Sequence, residues 1–286
     1  MKTFLLILSC FFVLQWTPVH AKTLDAATSQ AGVASTDNRV EKSLKAGGGW
    51  VVCQVGDVLR AGDKLRTAQD SSASLLLADH SVMRLGPNTE ILIVDLTEQE
   101  DGCLVRRFQL SLGRVFSDVT PSAGKPSIYE VKGPNAVAAV RGTAFDMDTA
   151  EVGSTDVKVW DGTVEVKGQQ EGAKSEMVRG DGAENHLRVN QEGRYQRLRF
   201  LRDHADAWQV ENLETRKRWR ALAATMPARV QLNAANMRQF NQVRHRLTPQ
   251  QKQFIQRRLE QFRRNHRPNN PGNHRPHRNQ PGHHDH

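Results

Sequence analysis

From Trp50 to about Val189 the apolar residues fall in short runs separated by tight-turn clusters. Trp50-Val51-Val52 runs into Gly56-Asp57, and Val58-Leu59 into Ala61-Gly62-Asp63. Leu75-Leu76-Leu77 ends at Asp79-His80-Ser81, which opens Val82–Leu85, and Gly86-Pro87-Asn88 turns the chain into Ile91–Val94. Further runs follow at Val105–Leu112, Arg114–Val119, Ile128–Val131, Val137–Arg141, Ala144–Met147, Val157–Trp160 and Thr163–Val166. Strand-length runs spaced about 8–12 residues apart, with Gly, Asp, Asn or Pro between them, predict a mainly β fold closed as a roll, solenoid or sandwich. Val157, Val159, Val164 and Val166 alternate with polar neighbours, as half-buried strands do. Asp161-Gly162 between them predicts a two-residue hairpin.

The period changes after Tyr195. Leu201, Ala205, Trp208 and Val210, then Leu213, Trp219 and Leu222, recur at helical spacing with charges between them. Pro227 interrupts this pattern, and Val230, Met237, Phe240, Val243 and Leu247 predict a second helix. Thr248-Pro249-Gln250-Gln251 predicts the start of a third: Thr as N-cap, Pro at the first position, Gln251 completing a capping box. Ile255, Leu259 and Phe262 form its apolar stripe, with Phe254 beside it. After Asn265 the chain is His, Pro, Asn, Gly and Arg, with no apolar residue to bury, which predicts a disordered tail.

Charge divides along the same line. Residues 194–286 hold 20 Lys+Arg against 6 Asp+Glu and carry +14, so with a chain total of +9 residues 1–193 carry −5. At the other end, Lys2 precedes an apolar run from Phe4 to Trp16, and Val19-His20-Ala21 places compact residues at the positions a signal peptidase reads. That run is shorter than the roughly 20 residues a membrane span needs. The expected organisation is a signal peptide at 1–21, an all-β domain at 22–193, a basic helical region at 194–265 and a His-rich tail at 266–286. The expected location is the periplasm or beyond, with no transmembrane span in the mature chain.

Export bears on the cysteines. Cys53 and Cys103 remain after cleavage, and an even count in an oxidising compartment predicts a disulfide, the alternative being two buried thiols. Catalytic signatures are missing: there is no Gly-x-Ser-x-Gly elbow, no His-Glu-x-x-His and no phosphate loop ending in Gly-Lys-Ser or Gly-Lys-Thr. The reading is therefore of a non-enzymatic protein without a cofactor. Six of eleven histidines lie between His266 and His286, and His283, His284 and His286 are candidate ligands for Zn, Ni or Cu. The alternative is a tail that solubilises or meets anionic surfaces through its arginines. Export disfavours nucleic acid as a partner.

Several of these motifs together resemble the FecR domain family. Gly56-Asp57-Val58-Leu59-Arg60-Ala61-Gly62-Asp63-Lys64-Leu65-Arg66-Thr67 is similar to its opening signature. Ser72-Ala73-Ser74-Leu75 through Leu85 resembles its next segment, with His80 where the family has glycine. Leu110–Val115, Val140-Arg141-Gly142-Thr143-Ala144-Phe145 and Val157–Val166 follow, and Trp208–Arg216 is similar to the segment that closes such domains. The resemblance spans about residues 40–190. Its physics is mostly structural: Gly62 and Gly142 free the backbone, and Asp63 and Asp79 fix turns. Arg141, Gly142 and Thr143 are the candidate binding residues, with Arg141 able to read a carboxylate or phosphate through two parallel bonds. The family's regulators of extracytoplasmic sigma factors also carry a cytoplasmic helical segment and a membrane span. Neither is read here, so the resemblance implies an exported sensor or scaffold whose β domain recognises an envelope protein or polymer, while the basic region meets an anionic surface. Leu247-Thr248-Pro249-Gln250-Gln251 also resembles the Leu-Thr-x-x-Gln motif of the Spy and CpxP group. That resemblance leaves open a chaperone-like or metal-handling role for the C-terminal part.

Overall fold

The structure is a computed structural model that describes residues 29–122, 124, 127–149 and 153–265. Its seventeen strands, numbered β1 to β17 along the chain, form two facing sheets that share one strand. The first sheet runs edge to edge through β4 (Val58–Leu59), β1 (Ala31–Asp37), β6 (Ser72–Leu77), β7 (Val82–Leu85), the second half of β9 (Leu104–Asp118), β12 (Ala144–Thr149), β13 (Thr155–Asp161), β16 (His186–Val189) and β17 (Tyr195–Leu198). The second runs through β3 (Val51–Val52), β2 (Val40–Ser43), β5 (Lys64–Thr67), β8 (Glu90–Glu98), the first half of β9, β10 (Ser127–Lys132), β11 (Ala136–Val140), β14 (Thr163–Gly168) and β15 (Ser175–Arg179). These neighbours are antiparallel except for β9 and β10. The fold is mainly β, as expected, and it closes as a sandwich.

The core between the sheets comes from strand alternation. Leu75, Leu77, Met83, Leu85, Val115, Phe145, Val157 and Val159 of the first sheet meet Leu65, Ile91, Ile93, Phe108, Val131, Val164 and Val166 of the second. Two expected features differ. Val105–Leu112 and Arg114–Val119 are one strand, β9, which passes from the second sheet into the first. Gly113 makes that passage at φ +85, and a Cβ there would lie 2.4 Å from the Asn88 carbonyl oxygen. Asp161-Gly162 is a corner rather than a hairpin, because β13 and β14 lie in different sheets. The alternating valines were legible; that both sets face one shared core was a fact of three dimensions.

The outer face of the first sheet is covered by a third layer. Helix α1 (Ala207–Ala223) starts from a reciprocal capping box of Asp206 and Gln209, α2 (Ala234–Val243) from Asn233, and α3 (Pro249–Asn265) from the expected Thr248–Gln251 box. Trp219, Val230, Met237 and Phe240 pack over Ala34, Leu76 and Val82. Ala205 and Trp208 pack over Phe116, Ala144 and Trp160. Past residue 193, β17 continues the first sheet to Leu198, and the basic helices share apolar contacts with that sheet.

Helix α1 is also held by polar groups. Gln209, Asn212, Arg216 and Arg220 share one helical face. Gln209 donates to Asp146 at 2.8 Å, and Asn212 accepts from Arg84. Arg216 and Arg220 both donate to Asp118, at 3.0 Å and 2.6 Å. The sheet register supplies the matching row. Arg84 and Asp146 flank Phe116 on adjacent strands, and Asp118 lies between Val82 and Ala144.

Asp146 gives this layer a pH dependence. Burial pushes its carboxyl up to about 6, against the lowering influence of Lys158 and of the hydrogen bonds from Trp160 and Gln209. The ordinary value is about 3.9. Between the two values the folded state holds a proton that the unfolded state has lost, so this group's contribution to stability falls as pH rises from about 4 to about 6 and stays lower above. Urea melts of Asp146→Asn should show that part of the pH–stability profile flattened, with the variant gaining on the wild type above about pH 6. A variant equally weakened at both ends of the range would refute the assignment.

The expected Cys53–Cys103 disulfide is not formed. Both thiols are free and buried, and the register shows why. Cys53 sits beside Val40, which pairs with Thr67, whose amide bonds to the Thr89 carbonyl. Cys103 sits beside Gln99, at the far end of β8. Ten residues of strand between Thr89 and Gln99 span roughly 30 Å, whereas bridged Cα atoms lie within about 7 Å. Burial, with the Asp57 carboxylate nearby, pushes the Cys53 thiol up to about 12.

Candidate recognition site

The Arg141-Gly142-Thr143 corner carries the chain from β11 in the second sheet to β12 in the first. Its three residues do different work. Gly142 has φ +139, and a Cβ on it would stand 2.7 Å from Pro121 Cγ and 2.9 Å from Pro121 Cα. Thr143 is buried; its hydroxyl donates to the Thr163 carbonyl at 2.9 Å, and its own carbonyl accepts from Val119 N–H at 2.9 Å. These two residues lock the corner to β14 and to the segment after β9.

Arg141 is exposed and has no ion-pair or hydrogen-bond partner among the described residues. It lines a depression of about 470 Å³ on the outer face of the second sheet, with Ser127, Ile128 and Glu130 of β10, Thr163 and Glu165 of β14, and Met177 of β15. None of the described helices covers this face. Val94 on β8, Leu112 on β9 and Met177 on β15 stand 47%, 50% and 52% exposed, and the charged row of Asp95, Arg107, Glu130 and Glu165 runs across the sheet between Met177 and the other two. Glu130 is engaged by Arg107, 2.9 Å away, which also reaches Asp95 at 3.2 Å. That leaves Arg141 as the unengaged cation at the rim.

The other candidates separate. Asp63 fixes its turn as expected, accepting from the Lys45 and Arg60 amides at 2.9 Å and 2.8 Å, and Asp79 accepts from the Ser81 amide at 3.0 Å. His283, His284 and His286 lie outside the described residues. Among the described residues no three His, Cys, Asp or Glu side chains converge as metal ligands. No described helix is long and apolar enough to cross a membrane.

Sequence reading missed a second cavity, of about 330 Å³, beside the β6–β7 turn. Asp79, His80, Arg106, Tyr129 and Arg229 line it. The one available clue was His80 itself, standing where the related family has glycine. His80 sits at φ +66, a conformation glycine adopts freely and other residues seldom do.

Residues 63–165 match the family model described as FecR protein, which upholds the resemblance over that stretch. No curated protein matches the chain. Two crystal structures of a candidate anti-sigma factor from Parabacteroides distasonis, at 2.50 Å and 1.65 Å, are similar to it. They share 21% and 19% identity with TM-scores of 0.42 and 0.41, and each match covers 52% of this chain and 64% of that protein. The chain thus spans less than two thirds of those relatives' length.

Proposed function

We propose that this chain is an exported, non-enzymatic sensor of the envelope, whose FecR domain binds a protein partner in signal transduction through the outer face of the second sheet. The observation that carries the reading is the asymmetry of the sandwich. Among the described residues one face is closed by helices, while on the other Arg141 has no partner and Met177 is exposed. An exposed Met beside a guanidinium without a partner among the described residues, in a shallow depression, suits recognition of a protein surface. The FecR match over residues 63–165 supports a signalling role.

The test places a photo-crosslinking amino acid at Met177, with a control at Arg218 on α1, in cells that express the full chain. One dominant adduct from position 177, lost on Arg141→Glu and absent from position 218, is the expected result. An adduct indifferent to Arg141→Glu, or none from position 177, overturns the reading.

A further inference from the structure

The cavity beside the β6–β7 turn holds an arrangement that the fold does not require. Arg106 is 1% exposed. Its Nη1 donates to the Thr97 and Val105 carbonyls at 3.0 Å and 2.9 Å, while Nε and Nη2 are buried without a partner. Arg229 enters from the α1–α2 connection. Its Nη2 bonds Glu98 at 2.8 Å, and its Nη1 is likewise buried and unpartnered. The third group is His80. Trp219 Nε1 donates to its carbonyl at 3.1 Å and the indole meets its ring edge-on. The imidazole bonds the Pro227 carbonyl, which leaves a buried Nε2 with nothing to pair with. Burial holds His80 below the usual histidine range, and it pulls Arg106 down as well.

A buried donor without an acceptor, or a buried acceptor without a donor, is costly to leave unpaired. Here three unpaired guanidinium donors and one unpaired imidazole acceptor belong to three side chains that line one cavity. Asp79 brings a carboxylate to the same wall, already accepting from Ser81, and Leu104, Val119 and Ile128 add apolar surface. Two guanidinium forks call for a carboxylate. A neutral imidazole nitrogen and an aspartate call for a polar hydrogen next to it.

We infer that this cavity is a binding site for a small hydroxy acid: its carboxylate lies between Arg106 and Arg229, its hydroxyl faces His80 Nε2 and Asp79, and its apolar body lies against Leu104, Val119 and Ile128. The volume suits a ligand at the small end of ordinary pockets. The site does not depend on the face around Arg141 being an interface.

The probe is mandelate, with mandelamide as its uncharged counterpart, titrated into the full chain by calorimetry. Mandelate should bind saturably and raise the melting temperature, and mandelamide should do neither. Arg229→Gln, at a half-exposed side chain where folding should survive, should weaken mandelate by about tenfold or more, the worth of one charge-assisted bond. Arg106→Met should abolish binding if it folds. His80→Gly should keep the carboxylate requirement while narrowing the preference for mandelate over phenylacetate. No saturable mandelate binding, equal binding of the amide, or unchanged affinity in Arg229→Gln each overturns the assignment.

Discussion

A chain cut after Arg199 is expected to lose its native fold rather than persist as a free β sandwich. The cut uncovers Ala34, Leu76, Val82, Phe116, Ala144 and Trp160 on the outer face of the first sheet. It also strips Arg84, Asp118 and Asp146 of their partners on α1. Removing a single buried Trp such as Trp219 costs about 3–5 kcal/mol, a large share of the 5–15 kcal/mol typical of a whole domain, and the cut removes three helices. Size-exclusion chromatography with a hydrophobic dye should report aggregates or a dye-binding expanded state. A soluble monomer that melts cooperatively would show that the helices are an appendage.

The second large effect should come from Asp118→Ala. The Asp118 side chain is 3% exposed and receives both Arg216 and Arg220. Its removal takes the shared acceptor from two partly exposed guanidinium groups, leaving Arg216 with Asp161 and Arg220 with the Val119 carbonyl. Losing such charge-assisted bonds costs about 1.5–3 kcal/mol. Phe254 offers the contrast: it is 67% exposed on α3, and Phe254→Ser should stay within about 0.5 kcal/mol. Urea denaturation of both variants decides the matter. A midpoint for Asp118→Ala close to that of the wild type would show that apolar contacts alone hold α1.

What could be read from the sequence was what depends on local period and turn chemistry. Val82–Leu85 was placed residue for residue, and the Thr248–Gln251 box opens α3 as its side chains dictate. The small-residue strand Ala31–Asp37 went unseen, because Ala, Gly, Ser and Thr make a weak apolar rhythm. It is nonetheless buried between β4 and β6. The attachment of the helices to the sheet was hidden for a related reason. The row on α1 that binds the sheet is Gln209, Asn212, Arg216 and Arg220, which in a sequence looks like a solvated face. Only the buried Asp118 and Asp146 beneath it reveal the purpose of those polar residues. Cysteine parity failed because parity carries no register. Of the candidate site, Arg141-Gly142-Thr143 was visible as a block, yet its division into two residues that lock a corner and one that faces outward needed the third dimension.

The strand that passes through both sheets has a consequence for how the polypeptide is made. In each sheet four strands from residues 31–98 lie on one side of β9 and four from residues 127–198 on the other. A polypeptide released only as far as Glu98 already has eight strands, but β7 and β8 both end in unsatisfied edges, and an open edge invites pairing with a neighbouring chain. Delivery of residues 104–118 closes both edges at once and presents two fresh templates for the second half. The molecule is thus zipped outward from a central spine, and the interval between Glu98 and Asp118 is the stretch of synthesis in which a nascent chain is most exposed to its own copies.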